Sequence, residues 1–163
     1  MNRSTSLLLG LLALIARPAV AEERPIKLSE VPSAVVEAVR QRHPKSKLRS
    51  AERSEDAGKI TFEVRLIEGP RTLEVELASD GTVLVEEEAL AVGELPAAVK
   101  QALSTSPKYA RWRLEKAERI VTLAEPDHLR FEVLASAKGK RMEVILDAGG
   151  QIEKEEDVTQ EKE

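Results

Sequence analysis

The sequence predicts an α+β fold made of two tandem repeats, each one helix packed on a roughly four-stranded antiparallel sheet. Three observations lead there. The first is internal repetition. Val31-Pro32-Ser33-Ala34-Val35-Val36-Glu37-Ala38-Val39 returns as Leu95-Pro96-Ala97-Ala98-Val99-Lys100-Gln101-Ala102-Leu103, and Phe62-Glu63-Val64 returns as Phe131-Glu132-Val133. A unit of this length used twice is one supersecondary packet. The second is a change of period inside each copy, from three-and-four to two. The third is the polarity of the period-two segments: one face is apolar and the other charged, so each sheet needs a cover, and the helix stripe supplies it.

The elements follow in order. Arg3, the apolar run Leu7 to Ala16 and the small-residue site Ala19-Val20-Ala21 predict an export signal over 1–21, with the mature start at Glu22. The run is too short to span a membrane, which takes about 20 apolar residues. Glu22 to Lys27 reads as a polar lead-in. Ser29 is placed to cap a helix that tolerates Pro32 in its first turn and carries Val31, Ala34, Val35, Ala38 and Val39 on one stripe. Pro44 ends it. Strands follow at Lys47 to Arg53, at Ile60-Phe62-Val64-Leu66, at Leu73-Val75-Leu77 and at Val83-Val85, with turns at Gly58, Gly69-Pro70 and Ser79-Asp80-Gly81. The second copy repeats the plan from Leu95 to Ile152. The remainder, dense in charge, predicts a solvated tail over 154–163.

Composition narrows the function. The formal charge is -4, and removal of 1–21 takes away Arg3 and Arg17 but no acid, which leaves the mature chain near -6. Lys and Arg are scattered among acids, and the aromatic residues are Trp112, Tyr109, Phe62 and Phe131 alone. Nucleic-acid binding wants a positive stripe with stacking rings, so it is not expected. There is no Cys, hence neither a thiolate nucleophile nor a disulfide, and the two histidines, His43 and His128, lack the close partners of a zinc site.

The repeated frame resembles the PepSY-like family of beta-lactamase-inhibitor-like periplasmic proteins. It is carried by Val31-Pro32, Pro44, Ala51-Glu52, Phe62-Glu63-Val64, Leu73-Glu74-Val75 and Asp80-Gly81. The second time it falls on Leu95-Pro96, Pro107, Ala117-Glu118, Phe131-Glu132-Val133, Met142-Glu143-Val144 and Asp147 to Gly150. The resemblance implies PepSY-like units over 22–90 and 91–153, location in the periplasm or outside the cell, no cofactor, and a binding or inhibitory role toward another protein. Two departures are His43-Pro44-Lys45-Ser46, where Pro-Gly is common, and Phe in place of a frequent Tyr before Glu-Val.

Candidate sites are few. Glu63, Glu74 and Glu76, with Arg65, form a charged sheet face that reads either as solvated or as a docking platform. Glu86-Glu87-Glu88 and the tail acids offer oxygen ligands for a hard cation such as calcium, whereas the Asp147-Ala148-Gly149-Gly150 turn offers one carboxylate and lacks the spacing of a calcium-binding helical loop. Tyr109 and Trp112 lie close together where the first copy has Lys45 and Leu48, and so read as a core cap or a contact surface. No catalytic, cofactor-binding or metal-binding residue is assigned. The expectation is a non-enzymatic exported binding module, an inhibitor or modulator of an envelope enzyme such as a peptidase. The alternative is a small ligand- or cation-sensing stress protein. The partner is an unnamed envelope protein, with no nucleic acid and no stable membrane span once the signal is removed.

Overall fold

The computed structural model describes residues 22–160, so the expected export signal over 1–21 lies outside the described residues. Among the described residues there are nine strands and two α-helices: β1 (Glu22–Ile26), α1 (Ser33–Arg42), β2 (Lys47–Asp56), β3 (Lys59–Glu68), β4 (Arg71–Ala78), β5 (Val83–Leu90), α2 (Ala97–Thr105), β6 (Arg113–Thr122), β7 (Arg130–Ala137), β8 (Lys140–Asp147) and β9 (Ile152–Asp157).

All nine strands belong to one antiparallel sheet, in chain order from β1 to β9. This overturns the expectation of two tandem repeats with a four-stranded sheet each. The decisive contact is β5 with β6, paired from Val85↔Thr122 to Leu90↔Ala117. Two separate sheets would leave two more open edges of unpaired N–H and C=O groups. Joining β5 to β6 satisfies both rows of backbone groups.

The polar lead-in and the start of the charged end also join the sheet. The lead-in is β1, which pairs with β2 from Glu22↔Glu55 to Ile26↔Ala51. The charged end does not begin as a loose tail. Residues 154–157 complete β9, and beyond it Val158 is 3% exposed and donates its N–H to the Arg141 carbonyl at 3.1 Å. Edge pairing uses the backbone, so a strand can form from charged residues that offer no apolar face.

One face of the sheet is apolar and carries both helices. Phe62, Val64 and Leu66 on β3 stand opposite Leu77, Val75 and Leu73 on β4, under Val35 and Val39 of α1. Phe131, Val133 and Ala135 on β7 stand opposite Leu146, Val144 and Met142 on β8, under Val99 and Leu103 of α2. Burying each such Val or Leu contributes about 1.5–3 kcal/mol.

The helices begin in matching ways. Pro32 and Pro96 occupy the N-cap positions, where a missing N–H costs nothing. Ser29 therefore does not cap α1; it lies in the 3-10 turn Leu28–Glu30. In that turn Glu30 accepts the Lys27 N–H at 2.8 Å, and Glu94 accepts the Ala91 N–H at 2.8 Å ahead of α2. Each helix start also rests on a hairpin glycine. Gly81 and Gly150 both have φ +88, and a Cβ on either would lie 2.6 Å from the Ala34 or Ala98 carbonyl oxygen.

Candidate functional site

Alternation along the strands sends one set of side chains away from the helices. Register then aligns them across the sheet. Glu52, Glu63 and Glu76 face one another on β2, β3 and β4, and Arg65, Glu74 and Glu87 do so on β3, β4 and β5. Glu118 faces Glu132 on β6 and β7. Like charges set directly opposite repel. Two cations offset part of this: Arg65 Nε donates to Glu74 at 2.6 Å, and Lys116 lies 3.1 Å from Glu118, which is only 6% exposed.

The crowding alters protonation. Burial first, then the charge and hydrogen bonding of Glu74, push the Glu63 carboxyl up to about 8. Burial, followed by Glu118, raises Glu87 to about 7, and burial followed by Glu143 raises Glu132 to about 7. A neutral carboxyl beside an ionised one is raw material for acid–base chemistry. The hollow lined by Glu52, Glu63 and Glu76 holds about 150 Å³, however, well below the roughly 300 Å³ at which small-molecule sites begin. Among the described residues no three His, Asp or Glu side chains converge to hold a metal ion.

The structure thus gathers Glu63, Glu74 and Glu76 on one surface and extends it to Glu87, Glu118 and Glu132. Sequence reasoning missed Glu118 and Glu132 and read Glu87 only as part of the Glu86-Glu87-Glu88 run, although the same alternation runs through all three. The Glu86-Glu87-Glu88 run does not act as one acidic cluster. Glu87 faces the open side, whereas Glu86 and Glu88 face the helix side, opposite Val75 and Leu73.

On the helix side the C-terminus of α1 is closed by ion pairs. Arg42 donates to Glu86 through Nε and Nη2, with Nη2 at 3.1 Å from Oε2, and the His43 ring sits 3.2 Å from Glu86 Oε1. Arg71 pairs with Glu88 and Glu68, and Arg119 also reaches Glu88. Burial pushes Glu86 up, but Arg42 and His43 outweigh it and hold the carboxyl below its usual range. Arg71 leads in doing the same to Glu88.

The end of α2 is built differently. Tyr109, 2% exposed, donates its hydroxyl to Glu155 at 2.6 Å. Lys108 donates to the other oxygen of Glu155 at 2.8 Å and lies 5.0 Å from the Tyr109 ring centre. Trp112 meets Tyr109 edge-on, with ring centres 5.4 Å apart and planes at 74°. Half-buried, Trp112 packs on the core from one side and from the other walls a groove of about 660 Å³. Lys108 and Arg111 line the groove from the turn after α2, and Ala137, Lys138 and Lys140 line it from the β7–β8 hairpin. Cations scattered along the sequence are gathered by the fold. Tyr109 and Trp112 therefore stand together, on a different part of the molecule from the three sequence-selected glutamates.

No protein-family profile matches the chain, and no curated protein matches it. Solved structures do. A BLIP-like protein from Bacteroides fragilis shares 24% identity, with a TM-score of 0.65, over 80% of this chain and 89% of its own. A DUF2874 family protein from Bacteroides uniformis shares 14%, with a TM-score of 0.69, over 79% and 91%. A periplasmic-protein candidate from Bacteroides eggerthii shares 13%, with a TM-score of 0.69, over 79% and 90%. At these identities the likeness is one of fold. No helix among the described residues is long and apolar enough to cross a membrane.

Proposed function

We propose that the chain is a non-enzymatic binding module of the periplasm or cell exterior, related to the PepSY-like group, that modulates an envelope protein. The observation that carries this reading is the Trp112 groove: an amphipathic ring, anchored on the core by Tyr109, presents its other face to a cavity of about 660 Å³ rimmed with cations. Trp and Arg are enriched where binding energy concentrates. Fold neighbours named as BLIP-like and as a periplasmic-protein candidate support both the role and the location, and neither name is that of an enzyme.

The test is affinity capture from a native envelope extract, with the wild-type chain and Trp112→Ala compared side by side. Retention of one partner by the wild type and its loss with the variant is the expected result. Equal retention by both removes Trp112 from the contact.

A second reading, cation sensing, draws on Glu63, Glu87 and Glu132, whose carboxyls are kept partly neutral by burial first and by neighbouring glutamates second. Calorimetry with calcium separates the two. Heat beyond dilution favours the second reading; none leaves the first.

A further inference from the structure

Resting on the binding role above, we propose that the groove beside Trp112 takes a short acidic segment of a partner protein, with carboxylates on the groove's cations and an apolar side chain against the Trp112 ring.

Four cations line this groove; Lys108 pairs with Glu155, and Lys140 feels the charge of Asp157 without forming an ion pair with it. Among the described residues no ion pair involves Arg111, Lys138 or Lys140. The place matching the hairpin wall is Glu68-Gly69-Pro70-Arg71, and it carries its own acid: Arg71 meets Glu68 across the turn at 3.4 Å and also pairs with Glu88. Ala137-Lys138-Gly139-Lys140 has alanine where that acid stands and adds a second lysine. A surplus of positive charge on a chain that is otherwise acidic is an anion site in search of its acid. Arg and Lys bind carboxylates through charge-assisted hydrogen bonds.

The shape of the site favours a peptide over other polyanions. Nucleic acid needs a positive track and several stacking rings, and here there is a single ring in a bounded groove. Long polyanions would also run over the carboxylate-rich remainder of the surface. A short segment avoids that repulsion while an apolar residue uses the exposed side of Trp112.

Trp112 is the sole Trp, so its emission reports on the groove directly. The probe is a short synthetic peptide of Glu, Asp and Ser with a single Leu, titrated into the full chain. The control peptide has Gln and Asn in place of the acids. The expected result is a saturable change in Trp112 emission with the acidic peptide, weakened by salt because exposed pairs are screened beyond about 10 Å at 0.1 M. Combined Lys138→Glu and Lys140→Glu raises the half-saturation concentration about tenfold or more, while Lys45→Glu on the other turn leaves it unchanged. Equal binding of the control peptide overturns the proposal. So does tighter binding of a single-stranded oligonucleotide or of phosphatidylglycerol vesicles. Capture of an envelope partner that ignores the Lys138 and Lys140 reversals overturns the acidic-segment assignment but leaves the binding role standing.

Discussion

The C-terminal ends of the two helices solve one problem with different chemistry. In both, a strand glutamate approaches from below: Glu86, opposite Val75, and Glu155, opposite Val144. At α1 the carboxylate meets Arg42 and His43, and the adjoining hairpin neutralises itself through Glu68 and Arg71. At α2 it meets Lys108 and Tyr109, a Trp packs beside them, and Lys138 and Lys140 of the adjoining hairpin form no ion pair among the described residues. The first corner is electrostatically closed and the second is open. A few side-chain changes on an equivalent frame thus turn a structural corner into a receptive one, without any change in backbone plan.

The comparison can be broken first at what the two corners share. Gly81→Ala and Gly150→Ala each push a Cβ to 2.6 Å from a helix carbonyl and place alanine at φ +88. Each substitution is expected to cost about 2–4 kcal/mol, measured by denaturant unfolding. A large effect at one site and a negligible one at the other would show that the helices are not seated alike.

Next in size is the chemistry that differs. Tyr109→Phe removes one hydrogen bond to a carboxylate that stays accessible to water, so about 1 kcal/mol is expected, with Trp112 emission shifted as its neighbour loosens. Glu86→Gln weakens the Arg42 and His43 contacts and should leave Trp112 emission unmoved. A shift in that emission with Glu86→Gln would mean that the corners communicate through the sheet.

The pH response separates the open face from both corners. Glu63, Glu87 and Glu132 hold their protons up to about 8, 7 and 7 in the fold, against 4.5 for an ordinary glutamate. The folded chain binds those protons more tightly than the unfolded one. Their contribution is fully present below about pH 4.5 and is lost as pH rises through the folded values. Glu86, Glu88 and Glu155 are held below their usual range, so what they contribute is present above about 4.5 and lost as pH falls through their folded values. Thermal unfolding should therefore be highest in mildly acid buffer and fall toward pH 8.5. Glu63→Gln should lessen that fall on the alkaline side. An unchanged midpoint from pH 5.5 to 8.5 would contradict the raised values.

The smallest effect on stability sharpens the contrast most. Ala137→Glu gives the second hairpin the acid that the first one has at Glu68, and an exposed pair of this kind shifts stability by about 0.5 kcal/mol or less. It should nonetheless weaken acidic-peptide binding. Unaltered binding would detach the groove from its charge.

Much of the fold was legible because alternation and helical spacing are local. Val35, Val39, Val64, Val75, Val99 and Val133 all reach zero exposure. The union of β5 with β6 was not legible: backbone pairing leaves no mark on side-chain pattern, and Val83 to Leu90 reads the same whether it closes a sheet or continues one. β1 and β9 escaped for the same reason, being strands defined by their partners. The aromatic pair was readable from its rarity and the first glutamates from their alternation. The cations around Trp112 were not, since Arg111 and Lys138 come to line one groove only when the turn after α2 and the β7–β8 hairpin meet.

Because every strand lies beside its immediate predecessor, the sheet can be assembled like a page written line by line. Contacts close in sequence favour rapid folding. A polypeptide delivered amino end first never has to wait for a distant stretch to arrive before its latest ribbon finds a berth.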